Sequence, residues 1–180
     1  MARLNKMVIG AFILFTWLGT SSFVIPASDM HEDSQALFKV ARSKDLNEIW
    51  YAPNFNKGVL NLENPVKAFW VKKNSNNRII EPLTWIQSKY AYGIKILHND
   101  ISGNSWKFQF VSYAKRTFQL KRTSDNNFKV FTNLKNKEIE VTRIFVQIDG
   151  GSFWVPSIPY VKLTGVETQT GKEITETIYP

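Results

Sequence analysis

The chain carries little of the equipment that catalysis usually draws on. It has no cysteine and two histidines, His31 and His98. Thiol chemistry, disulfides and cysteine-ligated metals are excluded, and a histidine-based triad or multi-histidine metal site has almost no material to work with. Lone His98 reads as a surface or turn histidine before it reads as a general base. The carboxylates Glu48, Glu63, Glu81, Asp100 and Asp149 are scattered through different loops. Nothing in their spacing sets two of them at the separation that glycoside hydrolysis requires. G-x-S-x-G, H-E-x-x-H and EF-hand patterns are absent. Gly165 to Lys172 (GVETQTGK) has five residues between its glycines where a phosphate loop has four, and Glu173 stands where Ser or Thr is needed. It reads as a hairpin turn. The sequence therefore assigns no catalytic residue, no metal site and no cofactor.

Binding chemistry is better represented. Arg42, Tyr51, Trp70, Glu81, Trp85, Lys89 and Tyr92 are polar or amphipathic residues that flank or punctuate apolar runs. One reading gathers them into a small pocket in which Arg42 or Lys89 grips an anionic group. The plainer reading makes them a buried salt bridge and hydrogen-bonded aromatics that fasten a helix to a sheet.

That helix is expected over 81–92, within Glu81 to Gly93 (EPLTWIQSKYAYG). Pro82 suits a first helical turn, and Leu83, Ile86 and Tyr90 make an apolar stripe that Trp85 and Tyr92 widen. Lys89 complements the negative end of the helix dipole, and Gly93 fits a left-handed C′ position. Glu81 is a poor N-cap. So short a helix needs the rest of the fold to hold it.

Everything else alternates as strands do. Phe38 and Val40, then Trp106, Phe108 and Phe110, then Phe118 and Leu120, each mark an inward face at period two. Ser43-Lys44-Asp45, Ser124 to Asn127, Lys135-Asn136-Lys137 and Gln169-Thr170-Gly171 supply turns. From Glu138 to Asp149 the apolar parity changes between Val141 and Ile144, which predicts a β-bulge or a strand bent between two sheets at Thr142-Arg143. The expectation is mainly β: an antiparallel β-sandwich or partly closed barrel of about nine or ten strands with one short helix.

The N-terminus reads as an address. Arg3 and Lys6 precede the uncharged, mostly apolar run Met7 to Gly19, and Ser22 and Ala27 both offer cleavage positions. The run is short for a spanning helix, which takes about 20 residues. The organisation expected is a signal peptide over 1–27, a polar leader over 28–35 and a single domain over 36–180. That makes the protein exported, periplasmic or secreted, with no stable membrane anchor after cleavage. The net charge is +8, and +6 once Arg3 and Lys6 are removed. A basic exported protein is drawn weakly to anionic envelope surfaces, and export argues against nucleic acid as a partner.

Phe38-Lys39-Val40-Ala41-Arg42-Ser43, followed by Ile49-Trp50-Tyr51, resembles the opening of an uncharacterised family of exported bacterial proteins, domain of unknown function 4833. Asn64-Pro65-Val66 with Phe69-Trp70, and Glu81-Pro82-Leu83-Thr84 through Ala91-Tyr92-Gly93, are similar to its middle blocks. Thr170-Gly171-Lys172 with Glu176 is similar to its closing hairpin. The resemblance implies a signal peptide and one domain, and it brings no activity, cofactor or site residue with it.

The expectation is a non-enzymatic binding or envelope-accessory domain, acting on an envelope protein, a glycan or a small ligand. One alternative is a carrier with an internal cavity for a lipid-like or anionic ligand. The other is a hydrolase acting on envelope material.

Overall fold

The computed structural model describes residues 36–73, 78–100, 104–152 and 155–180. The expected signal peptide and leader lie outside them.

The described chain is mostly strand, with one short helix. β1 (Phe38–Arg42), β2 (Asp45–Pro53), β3 (Phe55–Asn56), β4 (Val59–Leu60), β5 (Val66–Lys73) and β6 (Arg78–Pro82) precede helix α1 (Trp85–Tyr90). β7 (Ile94–Asn99), β8 (Ser105–Phe110), β9 (Tyr113–Arg122), β10 (Phe128–Leu134) and β11 (Lys137–Val146) follow it. β12 (Gly150–Gly151), β13 (Pro156–Ser157), β14 (Val161–Glu167) and β15 (Glu173–Ile178) complete the fold. β3–β4 and β12–β13 are small separate hairpins; the rest form one sheet ordered β6-β5-β2-β1-β11-β10-β9-β8-β7, with β14 and β15 branching from β11.

β11 is the strand at which the sheet forks. Along one edge it pairs with β14 from Ile139 to Val146. Along the other, its first half pairs antiparallel with β10, from Lys137 to Glu140, and its second half pairs parallel with β1, from Arg143 to Val146. The register against β14 shifts between Val141 and Arg143. This is the bulge that the parity change predicts. The extra residue turns Ile144 to the side already occupied by Ile139 and Val141, so all three enter one core.

Two wings therefore leave β11, one made of β1, β2, β5 and β6, the other of β10, β9, β8 and β7. They curl toward each other and close on aromatic rings. Phe38 stacks on Tyr51 at 4.5 Å, and Phe110 of the opposite wing meets both edge-on at 6.0 and 5.5 Å. Phe118 packs edge-on against Phe110 at 5.1 Å. The result is a sandwich-like half-barrel with a strongly aromatic interior.

The first wing is buried on both faces. Ile49, Tyr51 and Trp70 point into the main core, whereas Trp50, Ala52, Phe69 and Val71 form a second cluster on the other side. Lys39 and Arg78 cover the Trp50 ring at 3.8 and 5.3 Å, their apolar stems shielding it from water.

α1 is shorter than the 81–92 expected from sequence. Glu81 and Pro82 are strand residues of β6, paired with Trp70 and Phe69. The helix starts at an N-cap, Thr84, whose hydroxyl accepts from the Gln87 backbone N–H while the Gln87 side chain accepts from the Thr84 N–H. This capping box, T-W-I-Q, was the better start signal than Pro82. The helix also ends differently. Gly93 is not left-handed; it is required because a Cβ there would sit 1.8 Å from the Ser88 carbonyl oxygen. The chain passes through α1 from β6 at one sheet edge to β7 at the other, so the helix lies across the open side of the half-barrel.

Candidate functional site

The curl of the sheet leaves a cavity of about 560 Å³ at the end where β1, β11 and β15 finish and β14 begins. Its floor is buried: Val40, Tyr51, Phe110, Phe118, Ile144 and Leu163. Its rim is exposed: Lys44, Tyr90, Ser112, Ser152 and Pro156. Arg42, Tyr92 and Arg116 stand between.

Arg42 reaches this position because it ends β1 on the same parity as Phe38 and Val40. Its Nη1 donates to the Tyr92 hydroxyl at 2.9 Å, and its Nη2 pairs with Asp45. Its guanidinium carbon lies 4.8 Å from the centre of the Trp70 ring, and Tyr92 meets Trp70 edge-on at 5.6 Å. Among the described residues, Arg42 Nε is the buried side-chain nitrogen without an acceptor. The Trp70 indole N–H donates to Gln87 Oε1 at 3.2 Å, which ties the first wing to α1. Tyr51, fully buried, donates its hydroxyl proton to the Tyr92 carbonyl at 2.6 Å. Loss of hydration pushes the Tyr51 phenol well above its usual range, and Tyr92 nearby adds to the effect.

The structure thus brings Arg42, Tyr51, Trp70 and Tyr92 into one contacting group. Trp70 stands behind Arg42 and Tyr92 and does not line the cavity. The other three residues singled out from sequence lie elsewhere. Glu81 pairs with Lys72 at 2.5 Å on the outer surface. Trp85 is 67% exposed, with Lys89 4.7 Å from its ring centre, and neither lines the cavity. The stripe that placed Trp85 with Ile86 and Tyr90 was too wide for a six-residue helix none of whose residues is buried.

Sequence reasoning missed Lys44 and Arg116. Arg116 donates to the Asn133 carbonyl at 2.8 Å and pairs with Glu176 at 3.3 Å. It shares the inward parity of Phe118 and Leu120 on β9, and a cation on a core-facing parity was the legible signal. Lys44 donates to the Asp149 carbonyl at 2.8 Å and, among the described residues, has no carboxylate partner. No signal marked it, because the loop after β11 that meets it is recognisable only in the fold.

Among the described residues no Asp, Glu or His side chain lines the cavity, while three cations do. No group of three or more His, Asp or Glu residues placed to hold a metal ion occurs among them either. The arrangement can solvate an anion and bury an apolar body.

The model of a family described as a domain of unknown function (DUF4833) matches residues 38–177. No curated protein matches the chain, and no solved structure matches it. The match runs from the first residue of β1 to the penultimate residue of β15 and takes in both wings, the helix and every described residue of the cavity wall but Ile178 and Pro180, so the chain belongs to the DUF4833 family.

Proposed function

We propose that the protein is a non-enzymatic binding domain whose cavity takes a small amphiphile: an apolar body with one anionic head. The observation that carries this reading is the composition of the cavity wall. Apolar and aromatic side chains make the floor, while Arg42, Lys44 and Arg116 line it further out with no acidic side chain among them. The volume lies within the span of about 300–1,000 Å³ typical of small-molecule sites. Asp45 and Glu176 balance the two arginines from behind. Lys44 has no such balance, so an anion near the rim gains an attraction that a neutral ligand lacks.

Titration calorimetry with dodecanoate and with dodecanol tests this. Saturable one-to-one binding of dodecanoate, several-fold tighter than dodecanol, is expected. Val146→Trp, which fills the cavity from β11, should abolish both. Failure of both ligands to bind the wild-type protein would overturn the reading.

The same proposal places the protein outside the cytoplasm, because Arg3, Lys6 and the apolar run Met7 to Gly19 have the order of a secretory signal. Sequencing the N-terminus of protein recovered from the cell envelope or medium is expected to start after Ser22 or Ala27. A start at Met1 would contradict export by this route.

A further inference from the structure

Beyond the cavity itself, we infer that its rim is a docking surface for an anionic lipid bilayer. Five large apolar residues are exposed on segments that frame the cavity: Trp85 and Tyr90 on α1, Val111 on the β8–β9 turn, Val155 before β13, and Tyr179 after β15. Each belongs to the rim or has a lining residue within two positions of it in the chain. Trp85, Val155 and Tyr179 are 67%, 74% and 76% exposed, so no part of the described fold covers them.

Their chemistry is that of an interface between water and hydrocarbon. Trp and Tyr combine an apolar ring with a polar tip and favour the headgroup level of a membrane. Trp85 and Tyr90 meet edge-on at 6.2 Å, and Lys89 sits 4.7 and 5.2 Å from their centres. Lys89 has no carboxylate partner among the described residues, and neither has Lys44 across the cavity. Three acids on neighbouring segments are ion-paired to other cations: Asp45 with Arg42, Glu176 with Arg116 and Glu81 with Lys72; Asp149 takes only a neutral bond, from the Gln147 amide, which leaves Lys89 as the clearest uncompensated charge. The rim therefore presents apolar rings and free positive charge together, which suits an anionic lipid surface better than a neutral glycan or an apolar groove on a protein.

No helix among the described residues is long and apolar enough to cross a membrane. Shallow insertion of Trp85 and its neighbours would set the cavity mouth against the headgroups, where an amphiphile could pass without crossing water.

Flotation with vesicles tests the inference. The full-length chain, processed or not as recovered, is mixed with phosphatidylcholine vesicles and with vesicles in which about one quarter of the lipid is phosphatidylglycerol. Selective, salt-sensitive binding to the anionic vesicles is expected. Lys89→Glu should weaken it by more than the roughly fivefold that one surface lysine contributes. Trp85→Ser with Tyr179→Ser should weaken it by on the order of tenfold. None of these side chains lines the cavity, so dodecanoate binding without vesicles should be unchanged in both variants. Loss of dodecanoate binding alone strikes the cavity reading and leaves this one standing. Failure of wild-type protein to float with anionic vesicles overturns it, as does flotation unaffected by either set of substitutions.

Discussion

Replacing Tyr51 by phenylalanine isolates the bond that ties the cavity floor to the segment after α1. The ring keeps its stacking on Phe38 at 4.5 Å and its edge contact with Phe110 at 5.5 Å. Only the hydroxyl is lost, and with it the 2.6 Å bond to the Tyr92 carbonyl. Such a deletion costs about 1–2 kcal/mol, since the carbonyl is left in a partly buried place without its donor. The pH dependence adds a second, independent signature. The Tyr51 phenol is held well above its usual value in the fold, whereas in the unfolded chain it ionises near pH 10. Its folded pKa is raised, so the stability it contributes is fully present below pH 10 and is lost as pH rises beyond that. The loss runs at about 1.4 kcal/mol per pH unit until the folded pKa is reached. The variant has no such group. Urea unfolding followed by tryptophan fluorescence should show wild type ahead by about 1–2 kcal/mol at pH 8 and the gap nearly closed at about pH 11. A gap that stays constant with pH, or an indifferent substitution at pH 8, would refute the reasoning about burial and bonding of this hydroxyl.

Four other outcomes follow from the same structure. Gly93→Ala should cost more than 3 kcal/mol or so in thermal or urea unfolding, because a methyl 1.8 Å from the Ser88 carbonyl forces backbone to move; Gly171→Ala, where nothing lies within 4 Å but φ is +69°, should cost only about 1 kcal/mol. Thr84→Ala removes the capping hydroxyl and should cost about 1 kcal/mol, seen as faster amide exchange in α1 before the sheet is affected. Leu163→Ala, at a buried floor position, should cost about 2–5 kcal/mol by urea unfolding and enlarge the cavity. Lys44→Ala should leave stability within about 0.5 kcal/mol but weaken dodecanoate binding by about fivefold at low salt, with the difference fading as salt is raised.

The sequence carried the sheet well and the cavity poorly, and particular residues show why. Period-two alternation marks a strand by purely local means, which is why the inward faces of Trp106 to Phe110 and of Phe118 and Leu120 were legible. The bulge after Val141 was legible too, since a one-residue phase change is written in the strand itself. Phe69-Trp70-Val71 was harder. An apolar run shows that a strand is covered on both faces but does not say which residue meets which core; only pairing with β2 assigns Trp70 inward and its neighbours outward. The helix lies within the expected 81–92 but is shorter, because Pro82 fits a first helical turn and a β-edge equally well, while the Thr84–Gln87 reciprocal bonds settle the start. Arg42, Tyr51 and Tyr92 stand out at the borders of apolar runs and Trp70 at the centre of one, and non-local pairing gathers them. The same criterion also picked Glu81, Trp85 and Lys89, which the fold turns outward, because a border position does not encode direction. The cavity depends on how far two wings separate after β11, a distance that no local pattern records.

Native mass spectrometry before and after denaturation tests the binding role most directly, using protein recovered from its own source and then mixed with dodecanoate. The cavity reading predicts one small amphiphile per chain, released on denaturation and replaced by added dodecanoate, with Val146→Trp carrying neither. A bare chain that takes up no dodecanoate would contradict it.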